Sequence, residues 1–107
     1  MKQISISAVP NQTVTFTVGG YTYEMTLRAL NAGAFMVYDL SIDSVEVLRG
    51  FRFVPGQFLI PYRYLEKSGN FVLGTDGDAE ADYTEFGSTQ FLYYYTADEV
   101  SEYRGES

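Results

Sequence analysis

Residues 74–87 read GTDGDAEADYTEFG, with Asp76, Asp78, Glu80 and Asp82 on alternate positions and Gly77 between the first two. Carboxylates gathered in one loop are what a hard cation such as calcium takes as ligands. An EF-hand loop also needs Gly at its sixth position and a bidentate Glu at its twelfth. Counted from Asp76, those positions hold Ala81 and Gly87; counted from Asp78, they hold Tyr83 and Thr89. Both registers fail, and strand patterns rather than helices flank the loop. Asp76, Asp78, Glu80 and Asp82 are therefore candidates only for a weak, uncaged calcium site. The pattern favours a solvated acidic loop between strands, kept soluble by its charge and able to touch a basic partner.

The same carboxylates are poor candidates for acid–base catalysis. Glycoside hydrolysis needs two carboxyls at a set separation, one with a raised pKa, and nothing here marks such a pair. Asp39 is the other acid of interest, because it interrupts an apolar strand within reach of Arg28, Arg49 or Arg52. A structural ion pair is the plain reading. The chain has no His and no Cys, which removes the commonest general base, the commonest metal ligand, thiolate chemistry and any disulfide. We expect no enzyme and no cofactor.

The aromatic residues are the remaining candidates. Ten Tyr and eight Phe make up 17% of the 107 residues, without a Trp. Tyr packs its ring while its hydroxyl stays wet, which suits half-buried strands and interfaces. In the run Tyr93, Tyr94, Tyr95 the first and third share one strand face and the second lies opposite. Most such rings serve cross-strand packing. Those left exposed suit contact with another protein, and Tyr62, Tyr64, Tyr93 and Tyr95 are the partner-binding candidates.

Charge narrows the partners. The net charge is −7, with five acids and no base in residues 76–85 and a further −3 in the last ten residues. Nucleic acid and anionic membrane surfaces are disfavoured, since both need a basic face. Apolar runs are too short for a membrane span, and MKQISISAVP lacks the apolar core of a signal peptide. Synthesis in a cytoplasm is expected.

The elements that must position these residues read as strands. In residues 13–18 Val14, Phe16 and Val18 alternate with Thr. After Gly19-Gly20, Tyr21, Tyr23, Met25 and Leu27 alternate with Thr22, Glu24, Thr26 and Arg28, which predicts a hairpin. Ile4 and Ile6 predict a short strand before Pro10, and residues 31–33 a turn. Residues 34–42 are apolar on both faces at their start, as in a central strand. Residues 41–44 turn into a strand at 45–49, and residues 54–57 form a Pro-Gly turn. Residues 58–65, FLIPYRYL, are irregular or a single turn, because Pro61 opposes helix and ladder alike. Strands at 71–74 and 89–96 follow. Thr96 and Glu99 match a capping box, so residues 97–107 are a short helix or an acidic tail. The whole predicts one all-β domain over 1–96, a small antiparallel barrel or sandwich of about seven short strands, with an acidic C-terminal tail over 97–107.

The order of VPNQTVTFTVGGYTYEMTL, MVYDL, LRGFRFVPG, YRYL, an acidic loop with DGD, and FLYYY resembles the small baseplate plug proteins of contractile-tailed phages, a family typified by a cyanophage baseplate plug. The likeness spans about residues 4–95. Its markers are Pro10-Asn11-Gln12, Arg49-Gly50, Val54-Pro55-Gly56 and Tyr62-Arg63-Tyr64. Phe35 stands where family members often carry Trp. The resemblance implies a structural protein of the virion, made in the host bacterial cytoplasm and carried in the tail baseplate. It would contact hub, tail-tube and spike proteins in several copies of a symmetric assembly, and it brings no catalytic residues. The first hairpin and the last strand are the expected contact edges. The alternatives are a carbohydrate- or protein-binding β-module steadied by a weak calcium loop, and a small enzyme or inhibitor built on Asp39.

Overall fold

The alternation of residues 11–28 folds as the expected hairpin, and the rest of a four-stranded sheet grows from it. In the computed structural model, which describes residues 2–30, 35–62, 65–75 and 80–105, β2 (Asn11–Val18) and β3 (Tyr21–Leu30) pair from Val18–Tyr21 to Asn11–Arg28. Gly19 and Gly20 turn the chain with φ of 59° and 83°, the left-handed pair that a two-residue hairpin requires. β4 (Phe35–Ile42) pairs with β3, and β5 (Val45–Arg52) pairs with β4 across a turn at Asp43 and Ser44. The turn expected at 31–33 lies outside the described residues.

A second sheet has the order β1-β7-β6, from β1 (Lys2–Ile4), β7 (Phe91–Thr96) and β6 (Gly69–Gly74). Both sheets are antiparallel, and they face each other as a sandwich rather than closing into a barrel. Helix α1 (Ala97–Tyr103) follows β7 directly. Thr96 caps it, accepting from Glu99 N while the Glu99 carboxylate accepts from Thr96 N, so the capping box forms.

Alternation decides which residues meet between the sheets. Tyr23, Met25 and Leu27 of β3 are fully buried, as are Phe71, Leu73 and Leu92 from the other sheet. At one end Phe16, Tyr23, Phe71 and Tyr94 form an aromatic cluster, with Tyr23 and Phe71 edge-on at 5.1 Å. The Tyr23 hydroxyl shares a hydrogen bond with Ser68 Oγ, and the Tyr94 hydroxyl donates to the Ser68 carbonyl. One serine thus joins the two sheets. β4 is the two-sided strand expected: Met36, Val37 and Tyr38 are all buried.

Three expectations are corrected. The first strand ends at Ile4 rather than running through Ile6, and Ile6 instead packs on the edge of the core. The last strand begins at Phe91, because Ser88, Thr89 and Gln90 still donate to the Glu85 carbonyl in a tight turn. β7 also cannot offer a free edge along Leu92–Tyr94, since β1 and β6 flank it there.

Candidate functional site

Strand parity puts Tyr93 and Tyr95 on the face of β7 that turns away from the core, while Tyr94 is buried. That outer face is the floor of a groove of about 470 Å³. Val54, Pro55 and Gly56, Thr75 and Glu80, and Tyr103 of α1 also line it. β6 contributes Gly74, where a Cβ would stand 2.9 Å from the Tyr93 ring. A side chain at that position would displace the ring from the groove floor.

Helix α1 reaches this face because the capping box starts it without a linker after β7. Its Val100 is buried against the sheet. Tyr103 stands edge to face with Tyr95 at 5.6 Å and with Phe58 at 5.0 Å, and its hydroxyl donates to the Gly56 carbonyl. One residue on, Arg104 lays its guanidinium 4.7 Å over the Phe58 ring and clamps Glu66 with two bonds of 2.9 and 2.8 Å. Glu66 in turn accepts from Asn70 Nδ2, and Asn70, fully buried, holds both the N–H and the carbonyl of Ile60. The chain from Arg104 through Glu66 and Asn70 to Ile60 ties Ile60 and Glu66 to β6 and α1 together.

Among the described residues lining the groove, Glu80 is the single ionisable carboxylate. Burial, then the neighbouring Tyr103, Glu99 and Tyr93, raises the Tyr95 phenol above its ordinary range, so it stays a neutral hydrogen-bonding group near neutral pH. Among the described residues lining the groove no nucleophile and base face each other; what these residues offer is binding, through rings and a few polar tips.

The acidic loop is only partly in view. Asp76 and Asp78 lie outside the described residues. Glu80 stands 3.9 Å from Arg52. Asp82 caps a single 3-10 turn at Tyr83–Glu85, accepting from Thr84 N and Thr84 Oγ1. Buried Gln90 pins the end of the loop, accepting from Asp82 N and donating to the Glu80 carbonyl. Among the described residues no cluster of three carboxylates could hold a metal ion.

Of the four aromatic candidates, the structure brings Tyr93 and Tyr95 together in the groove. Tyr62 lies apart, exposed and edge-on to Phe51, and Tyr64 lies outside the described residues. Sequence reasoning missed Tyr103, Glu66, Asn70 and Gln90. Thr96 and Glu99 carried the signal that a helix would follow, but where that helix lands depends on the sandwich. Asp39 is the ion pair expected: its Oδ1 accepts from Arg28 Nη2 at 3.0 Å and from Gly50 N at 2.7 Å. Gly50 has a φ of 69° in a β-bulge where two residues of β5 oppose Asp39, so the carboxylate holds the bulge rather than a substrate.

A family model described as "Cyanophage baseplate Pam3 plug gp18" matches residues 1–98 of the chain. Among curated proteins, none matches it.

Proposed function

The chain belongs to the cyanophage baseplate plug family, and from that membership we propose that it is a structural, non-enzymatic component of a contractile phage tail, sited in the baseplate as part of the hub or plug. Its partners are hub, tail-tube and spike proteins, met in several copies of a symmetric assembly after synthesis in the host bacterial cytoplasm. The observation that carries this reading is the family match over residues 1–98. The groove gives it a surface: Tyr93, Tyr95 and Tyr103 offer ring area with polar tips, the composition that protein interfaces favour.

The sugar-binding alternative is less well served by the same residues. Tyr95 and Tyr103 stand at 86° to one another, so they form no flat platform on which a sugar ring can stack.

Quantitative mass spectrometry of purified particles tests the proposal. A small fixed number of copies per tail, such as a multiple of three, supports a place in the symmetric hub. Absence of the chain from the particles overturns it.

A further inference from the structure

The sandwich has two seams where the edges of its sheets approach, and they are finished differently. Beside β6 the chain closes the seam itself. Gly56 N donates to the Leu73 carbonyl and Leu59 N to the Phe71 carbonyl, so residues 56–59, a turn and bend rather than a strand, cover that edge through two backbone bonds. Between β1 and β2 there is instead a groove of about 280 Å³, lined by Lys2–Ser5 on one side and Val14–Val18 on the other.

The hydrogen-bond phase shows what lines this second seam. The Gly19-Gly20 turn closes on Val18–Tyr21, and Ala29 N donates to the Pro10 carbonyl. Even-numbered residues of β2 therefore spend their backbone groups on β3, and the N–H and C=O of Thr13, Thr15 and Thr17 point outward. The same logic, phased by the Phe71 and Leu73 carbonyls facing away from β7, turns the backbone of Gln3 outward from β1. Among the described residues these outward groups make no hydrogen bond. Side-chain burial agrees. Val14 and Phe16 are only partly buried at this edge, while Tyr23 and Met25, their neighbours on β3, are fully buried. In a chain of net charge −7 the described residues that line the seam include no acid, and Lys2 is the one charged side chain among them.

We propose that this seam receives an extended segment of a different baseplate chain, which adds to β2 as a fifth strand. The partner segment is about five residues long at strand rise. It carries apolar side chains at alternate positions over Val14 and Phe16, is neutral or acidic, and has no proline where it pairs. The occupant is the counterpart, from another molecule, of what residues 56–59 do at the opposite seam. The inference rests on the baseplate reading for the identity of the partner.

Thr15→Pro is the discriminating variant. The N–H it removes is unused in the fold, and Thr15, unlike Thr13 and Thr17, shares no side-chain hydrogen bond with β3. An edge strand tolerates proline at such a position but can no longer be extended there. Phage grown with T15P as its sole copy is compared with wild type by counting copies per particle, alongside melting of the two purified chains. Hydrogen exchange of the 12–18 segment is measured in the free chain and in isolated baseplates. The expected result is an unchanged fold, incorporation reduced to about a tenth or less, and exchange at Thr13, Thr15 and Thr17 slowed about tenfold or more in baseplates. Normal incorporation of T15P overturns the proposal, as does equal exchange in both states; if T15P does not fold, the exchange comparison decides alone. A purified wild-type dimer that T15P dissociates makes the occupant a second copy of this chain and also overturns it. Absence of the wild-type chain from particles defeats the baseplate reading, and this inference with it. Presence of both wild type and T15P defeats this inference alone.

Discussion

Tyr103 of α1 and Tyr95 of β7 meet edge to face with ring centroids 5.6 Å apart, and this contact makes the C-terminal helix a wall of the groove rather than a free tail. The two rings, with Phe58 beneath them, share one cluster. Replacing either exposes the other.

Tyr93→Ala and Tyr95→Ala should therefore separate docking from folding. Both rings are half-buried on the outer face, so each substitution is expected to cost about 1–2 kcal/mol of stability while removing interface area. The measurement is copies per tail beside a thermal melt of the purified chain. Full incorporation of both variants would take the groove out of the docking surface.

The Arg104–Glu66 pair is expected to hold α1 down. Its side chains are 21% and 12% exposed, and its geometry is bidentate. Removing Arg104 leaves a largely desolvated carboxylate beside Asn70. Arg104→Ala should destabilise the fold by about 2 kcal/mol, short of the cost of breaking a fully buried pair. A double-mutant cycle with Glu66→Ala, read by urea unfolding, measures the coupling. A value near zero would mean that the contacts of Val100, Tyr103 and Phe58 seat the helix without help from the ion pair.

Stability should be flat through neutral pH and fall in alkali. Burial raises the phenol pKa of both Tyr23 and Tyr38 above the ordinary value of 10. The folded state therefore keeps protons that the unfolded chain gives up. The stabilisation they contribute is fully present below pH 10 and is lost progressively as pH rises above it. Melts between pH 8 and pH 11.5 check this, and Tyr38→Phe should lessen the alkaline loss, although it also removes the hydrogen bond to the Leu59 carbonyl.

Calcium should have little effect. Glu80 faces Arg52 and Asp82 is committed to its cap, so at least two of the four loop carboxylates are otherwise engaged. Adding millimolar calcium, or EDTA, is expected to move Tm by less than about 1 °C. A rise of several degrees with calcium would restore the metal loop as a functional element.

Much of the local structure was legible in the sequence because its causes are local. Alternation over 13–28 and two glycines dictate the hairpin, since glycine alone reaches those turn angles without strain. The Thr96–Glu99 spacing dictates a helix start, because both partners lie within one turn. The apolar run at 34–42 marks a strand covered on both faces. Asp39 was legible as an ion-pair partner, though Arg28 could not be chosen from three arginines before the register was known.

Tertiary structure decided the rest, because those facts depend on which distant strands pair. Only the order β1-β7-β6 puts the last strand between two others and removes its free edge. Only the docking of α1 brings Tyr103 back onto Tyr95 and Arg104 to Glu66, the latter pair with the whole of β6 and β7 between them in sequence. Asn70 and Gln90 read as ordinary polar residues until burial gives each a full set of backbone partners. The open seam beside β2 is likewise invisible in the sequence, since it comes from two sheets that approach without pairing. Sequence fixed the periodicity and the turns through short-range sterics; long-range packing chose which faces remained for a partner.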